Sequence, residues 1–176
     1  MSKIVKKGRR LQFRQAEPED LDYIMETEYK PENAKYVIPY TREMHSLTLD
    51  TPGAIHLIIE TMDTREKVGF LMIAGLDNES KEIEWTRIIL DVKGKGYGHE
   101  TLQMLKSWAF DDLKFHRAWL DCKDYNARAL HVYESEGLQR EALLRETILT
   151  DGVYENLIIL AILDREYFAS KNGKES

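Results

Sequence analysis

The run Ile88-Ile89-Leu90-Asp91-Val92-Lys93-Gly94-Lys95-Gly96-Tyr97-Gly98 places three glycines in five residues between an apolar strand and a helix. Residues 82–91 (EIEWTRIILD) read as the strand. A helix is expected over roughly 98–112, with Leu102, Leu105, Trp108 and Ala109 on its buried side. A glycine-rich turn at this point lets the backbone approach a ligand and turns free N–H groups toward one spot. The first N–H groups of the helix lack intrahelical partners, and its dipole adds positive charge. With Lys93 and Lys95 beside them, these groups make a site suited to a pyrophosphate. The spacing is G-x-G-x-G, and no Ser or Thr follows a Gly-Lys pair, so the P-loop pattern fails. The dinucleotide fingerprint fails as well, since an acid about 20 residues on would fall near Lys114.

Working outward, 11–16 (LQFRQA) alternate as a strand, and Glu17-Pro18-Glu19-Asp20 opens a helix with Leu21, Ile24 and Met25 inward. Residues 31–53 hold three prolines and read as irregular, with a short helix near 42–49. Strands are expected at 55–60, 67–75 and 116–122, and a helix over 126–136 ends at Gly137. Two long strands, 138–150 and 153–163, flank the hairpin signal Asp151-Gly152. The order predicts a mixed α/β or α+β sheet with a strand–loop–helix–strand unit at its centre. Residues 1–10 (MSKIVKKGRR) are expected as a basic extension, 11–168 as one folded unit, and 169–176 as a polar, frayed tail.

Composition narrows the classes. At 176 residues with 43% hydrophobic content the chain suits one domain with a real core. A net charge of −6 argues against a nucleic-acid partner. The single Cys122 excludes a disulfide framework within the chain and points to a reducing, cytoplasmic setting. The longest apolar run, Leu157 to Leu163, is far short of the ~20 residues that span a membrane, and no signal-peptide core is present. The five histidines show no ligand spacing, so no metal is expected.

The glycine run resembles the acetyl-CoA signature of the GNAT superfamily of N-acetyltransferases, a hydrophobic strand followed by Q/R-x-x-G-x-G/A and a helix. Lys93, Gly96 and Gly98 stand on its last three defined positions, with Lys93 where Gln or Arg is usual. The run Asn126-Ala127-Arg128-Ala129-Leu130-His131-Val132-Tyr133-Glu134-Ser135-Glu136-Gly137-Leu138 is similar to the later family motif N-x-x-A-x-x-x-Y-x-x-x-G-F, changed only at Leu138. Asp151-Gly152-Val153-Tyr154 looks like the terminal hairpin of the branch that acetylates protein N-termini, such as ribosomal-protein alanines, antibiotics or polyamines. The similarity covers roughly residues 11–164. It implies an α/β (α+β) fold with a mixed, mostly antiparallel sheet of six to seven strands, splayed at its centre to hold acetyl-CoA.

The same resemblance implies the roles. The pyrophosphate would sit on Lys93, Gly94, Lys95, Gly96, Tyr97 and Gly98. The amide arm would pair with Ile88, Ile89 and Leu90, and Asn126 would lie near it. Asn126 also suits a helix N-cap. Tyr133 would protonate the leaving thiolate, unless it is a core tyrosine with a satisfied hydroxyl. Glu84, a carboxylate within an apolar strand, would gain basicity on burial and serve as general base, directly or through water. Arg87 stands three residues on and should face the other side of a regular strand, pairing with Asp121 or Glu82, unless a bulge intervenes. Glu28, Tyr36 and Tyr40, with Arg87, are candidates for the acceptor wall, since carboxylates and rings suit a cationic amine. The expected reaction is direct acetyl transfer to a primary amine of a small molecule or peptide. The alternatives are a non-catalytic acyl-CoA-binding regulatory module and a nucleotide-binding protein. The long hairpin also suits a homodimer.

Overall fold

The computed structural model describes residues 2–174. Eight strands form one sheet, β1 (Ile4–Lys7), β2 (Leu11–Gln15), β3 (Ile55–Thr61), β4 (Lys67–Ala74), β5 (Glu82–Leu90), β6 (Arg117–Lys123), β7 (Gln139–Thr150) and β8 (Val153–Leu163). Their order is β1-β2-β3-β4-β5-β6-β8-β7. Every neighbouring pair is antiparallel except β5 with β6. That single parallel step is closed by the crossover helix α4 (Tyr97–Lys106), which ends in a π-helical turn over Ser107–Asp112.

The helices divide between the two faces of the sheet. α4 and α5 (Ala127–Ser135) cover one face, where Leu102, Leu105 and Leu130 pack on Ile83, Trp85, Leu120 and Leu160. The other face carries α1 (Leu21–Tyr29), the short α2 (Pro31–Ala34) and α3 (Arg42–Leu49), with Leu21 and Ile24 against Ile58, Phe70 and Ile89. The strands alternate accordingly, each feeding both cores, which explains their long apolar runs.

The sheet exceeds the expected six to seven strands. Residues 4–7, read from sequence as part of a basic extension, pair with β2, and Val5 packs on the larger core. The polar end also folds further than expected. α6 (Asp164–Asn172) runs past Phe168, anchored by Tyr167, whose ring lies 5.2 Å from Phe110 and whose hydroxyl donates to Asp111 at 2.7 Å. Lys171 adds an ion pair to the same Asp111, so the helix continues through part of the segment that composition alone marks as frayed. No helix among the described residues is long and apolar enough to cross a membrane.

Candidate active site

The site begins with a fault in β5. Met72 of β4 pairs with Arg87 and Ala74 with Glu84, so two steps along β4 face three along β5. The extra residue is a β-bulge, which bends and twists the strand that carries it. It also resets the alternation. Ile83, Trp85, Ile88 and Leu90 pack toward α4 and α5, whereas Ile89 packs toward α1. Glu84 and Arg87 thereby share a face, contrary to the regular-strand expectation. Arg87 bonds Glu28 rather than Asp121 or Glu82, and Glu82 is taken by Arg117 at 2.7 Å.

Beyond the bulge β5 leaves β6. The two pair only at Glu82–Arg117, Ile83–Ala118 and Glu84–Trp119. The gap that opens is a cleft of about 910 Å³ through the sheet, walled by β5, β6, the glycine loop, α5 and residues 32–40. Because it cuts the sheet, it joins the α4/α5 side to the α1–α3 side.

At one end lies the glycine loop. Gly94 and Gly96 take φ +78° and +73°, the left-handed region that glycine enters without a Cβ clash. A Cβ at Gly94 would meet nothing within 4 Å, and one at Gly96 only the Arg10 guanidinium at 3.6 Å. Open space thus stands directly over the backbone. From Val92 to His99 no N–H donates to a described residue; the first such donor is Glu100, to the Gly96 carbonyl at 3.3 Å. Unpaired N–H groups at a helix start, turned by two left-handed glycines, make a concavity whose donors suit an anion. Lys93 and Arg128 line the same end, and burial beside Arg128 pulls the Lys93 ammonium below its ordinary value. The loop is braced from the β1–β2 turn. Arg10 donates to the Lys95 carbonyl at 2.8 Å and to Glu100 at 2.7 Å, and its guanidinium covers the Tyr97 ring at 4.9 Å.

The other end is acidic. Glu84 on β5 and Asp121 on β6 both line the cleft, and neither carboxylate makes a hydrogen bond to a described residue. Enclosure raises the Glu84 carboxyl above its ordinary value, and the Asp121 charge pushes it further. Enclosure raises Asp121 too, against the pull of Arg87. The Arg87 charge is itself spent. Its guanidinium bonds Glu28, donates to the Ile38 carbonyl at 2.9 Å and lies 4.7 Å from the Tyr40 ring centroid. Between the two ends Tyr133 projects from α5. Its hydroxyl has no hydrogen-bond partner among the described residues, which disfavours a satisfied core tyrosine, and burial near Cys122 and Asp121 holds the phenol far above its usual range.

Of the residues singled out from sequence, Glu84, Ile88, Ile89, Leu90, Lys93, Gly94, Gly96, Tyr97, Gly98, Asn126, Tyr133, Tyr36, Tyr40 and Arg87 all line this one cleft. Two do not. Lys95 points away, and its carbonyl is the bracing contact for Arg10. Glu28 lies behind the wall, fully buried, with its oxygens taken by Arg87, His45 and the Tyr40 N–H. It has no charge left for a bound amine. Asn126 caps α5 by accepting from the Ala129 N–H at 3.3 Å, leaving its amide nitrogen for the cleft.

Sequence reasoning missed Asp121 as a lining residue, although alternation in β6 (Ala118, Leu120 and Cys122 inward) assigns it to the Glu84 face. It also missed the pairing of His45 with His56, 3.1 Å apart and buried, behind Glu28. Spacing along the chain gives no signal for that contact. Cys122 is buried, its thiol pushed up to about 12 by desolvation.

Comparison with known proteins agrees with this geometry. Residues 10–139 match the acetyltransferase (GNAT) domain family. The chain is 25% identical to spermidine N(1)-acetyltransferase of Escherichia coli over 105 residues, spanning 59% of this chain and 56% of that protein, so little more than half of that relative is represented. An uncharacterized N-acetyltransferase of Bacillus licheniformis is 27% identical, with 90% of this chain and 95% of that protein covered. The solved structure of Vibrio cholerae spermidine N-acetyltransferase in complex with CoA and spermine superposes with a TM-score of 0.80 at 21% identity, covering 90% of this chain and 98% of that one. A probable GNAT-family acetyltransferase from Chromobacterium violaceum gives 0.81 at 16% identity, covering 94% and 88%. The likeness of fold joins a sequence match that runs from the start of β2 to the start of β7 and includes the bulge, the glycine loop and α5, and the chain belongs to the GNAT acetyltransferase family.

Proposed function

We propose that the chain moves the acetyl group of acetyl-CoA directly to a primary amine of a small cationic acceptor, with polyamines as the preferred class. One observation carries the reading. A single cleft has unpaired N–H groups and basic side chains at one end and two unpartnered carboxylates at the other. That polarity suits an anionic diphosphate and a cationic amine held in line. The spermidine acetyltransferases among the relatives support the same acceptor class.

The residues present fit acetyl-CoA. Gly94 and Gly96 leave room over their backbone, and the N–H groups of residues 92–99 are free to bind its diphosphate. Thr86 Oγ1 and Arg87 Nε are buried without partners where the bulge meets the cleft. Acetyl-CoA supplies an acyl group activated as a thioester. The N–H groups of β5 that point to the splay have lost β6 as a partner, and one of them is placed to stabilise negative charge on the carbonyl oxygen. Tyr133 keeps its proton at neutral pH and donates it to the departing sulfur. Glu84 takes a proton from the amine, with Asp121 beside it on β6.

The raised Glu84 carboxyl sets the pH dependence. The base works only when ionised, so kcat/KM falls as pH drops through its pKa, which stands above the ordinary 4.5. Glu84→Gln removes that acidic limb and lowers kcat/KM by about 10²-fold, near the low end for a general base because Asp121 stands alongside. Asp121→Asn keeps the limb. The converse pattern in the two pH profiles reassigns the base to Asp121.

The reading is tested by thiol release from acetyl-CoA in the presence of spermidine, spermine and simple diamines. Amine-dependent release supports it. Binding of acetyl-CoA without turnover of any amine returns the non-catalytic module. The buried Cys122 supports a cytoplasmic setting, and the exposed β7, with Leu143, Leu149 and Tyr154 in the hairpin open to solvent, supports pairing with a second copy.

A further inference from the structure

The segment between α2 and α3 crosses the splayed cleft and is fastened on both banks. On the β5 bank Arg87 donates to the Ile38 carbonyl at 2.9 Å, and Glu28 accepts from the Tyr40 N–H at 2.6 Å. His45 lies 3.1 Å from Glu28 and stacks 5.3 Å from Tyr40. On the β6 bank two side chains converge on one carbonyl. Lys123 Nζ donates to the Lys35 oxygen at 3.1 Å, and the Tyr125 hydroxyl lies 2.6 Å from the same oxygen. The Tyr36 and Tyr125 rings stack at 5.8 Å. From β8, Glu155 holds the pair from below, 2.7 Å from Lys123 Nζ and 3.0 Å from the Tyr125 hydroxyl.

We infer that residues 35–40 form a strap over the acceptor end of the cleft, latched at Lys35 by Tyr125 and Lys123, which are positioning residues for the acceptor. This rests on the amine-acceptor reading. Lys35, Tyr36, Val37, Ile38 and Tyr40 line the same cleft as Glu84 and Asp121, so moving the strap changes the acceptor wall and leaves the glycine loop alone. The two fastenings also differ in strength. Glu28, which holds the Tyr40 N–H, is fully buried, whereas Tyr125 is 47% exposed; the other half of the latch, Lys123, is 2% exposed but keeps its ion pair with Glu155 when it releases the Lys35 carbonyl. A backbone N–H bonded to a buried carboxylate, as Tyr40 is to Glu28, costs more to break than a hydroxyl bond in contact with water, as Tyr125 makes to Lys35. The strap therefore opens at Lys35 and turns about Tyr40. Finally, the Tyr125 hydroxyl has one proton and two acceptors, the Lys35 carbonyl and Glu155. It can release the strap and still donate to Glu155, which lowers the cost of opening.

Tyr125→Phe tests the latch, because it removes the hydroxyl and keeps the ring stack, and Tyr125 does not line the cleft. Lys35 is exposed, but trypsin needs an extended backbone around the bond it cuts, so cleavage after Lys35 rises as the strap lifts and tracks the open population when reclosing is fast. The full chain is digested as wild type and variant, and the 1–35 fragment is followed by mass. Steady-state constants are measured with acetyl-CoA and spermidine. Loss of one hydrogen bond predicts cleavage roughly 2- to 10-fold faster, with the acceptor KM raised by a similar factor. The acetyl-CoA KM and kcat should each change less than about twofold, a split that general loosening of the fold would not give. Unchanged cleavage at Lys35 overturns the latch. Faster cleavage with unchanged acceptor KM overturns its role in acceptor binding. If wild-type protein turns over no amine, the acceptor reading fails instead, and the latch is judged on cleavage alone.

Discussion

Tyr133→Phe lowers kcat by roughly 10²–10³-fold while leaving the affinity for acetyl-CoA close to wild type. The position of the hydroxyl decides both effects. It projects into the cleft and bonds no described residue, so its removal breaks no contact of the folded chain. The ring packs on the α4/α5 core with Val132 and Leu130, and phenylalanine keeps that packing. Stability should therefore hold, since losing an unpartnered polar atom is close to neutral. What is lost is a proton donor. The enclosure that raises the phenol also raises the proton affinity of a departing thiolate, because both anions are desolvated in the same space. The proton transfer therefore stays nearly matched although the phenol is a weaker acid than in water. The measurement is kcat at saturating acetyl-CoA and spermidine, repeated with an acetyl aryl thioester whose thiolate leaves without a proton. The variant should lose most with acetyl-CoA and least with the aryl thioester. An unchanged kcat removes Tyr133 from the mechanism, and an equal loss with both donors makes it a positioning residue.

The features legible from sequence are those written locally. The glycine loop announces itself because a left-handed turn needs glycine at Gly94 and Gly96, and the helix after it follows within two residues. Asn126 and Tyr133 lie on one helix, seven residues apart, so their common face follows from its period. The features that escaped are long-range. The bulge at Trp85–Thr86 is a property of the pairing with β4 and leaves no mark in EIEWTRIIL, yet it alone puts Glu84 and Arg87 side by side. Glu28 looked like a surface acid ready for a cation. Its position, seven after Leu21 and four after Ile24, lies on the buried stripe of α1, and that stripe was the available signal. Its partners Arg87 and His45 are 59 and 17 residues away, and only the fold brings them to it. The strap over the cleft is the same kind of feature, tying Lys35 to Lys123 and Tyr125 across 88 and 90 residues.

Gly96→Trp abolishes the stabilisation that acetyl-CoA gives the wild-type protein. At 100 times its Kd a ligand adds about 2.7 kcal/mol to a one-site protein, and for a chain of this size that raises the Tm by roughly 5–10 °C. The indole would enter the space where the free N–H groups of residues 92–99 converge, and a Cβ at Gly96 meets only the Arg10 guanidinium at 3.6 Å, an ordinary contact. The variant therefore folds, with a lower Tm because a non-glycine residue pays about 1–2 kcal/mol to stay left-handed. That cost needs its own control, and the fold supplies one. Gly152, at the β7–β8 turn, has φ +79° and nothing within 4 Å of its Cβ position. Gly152→Trp carries the same backbone strain but lies outside the cleft. Its Tm should fall like that of Gly96→Trp, yet it should keep the full acetyl-CoA shift. Loss of the shift in both variants would mean that strain, not blocking, removed it. A shift retained in Gly96→Trp would remove the diphosphate from this loop. ATP and NAD, titrated alongside, separate the remaining case, because a site that reads only the diphosphate answers to them as strongly as to acetyl-CoA. A cleft that also holds the amide arm along β5 answers to CoA species far more strongly.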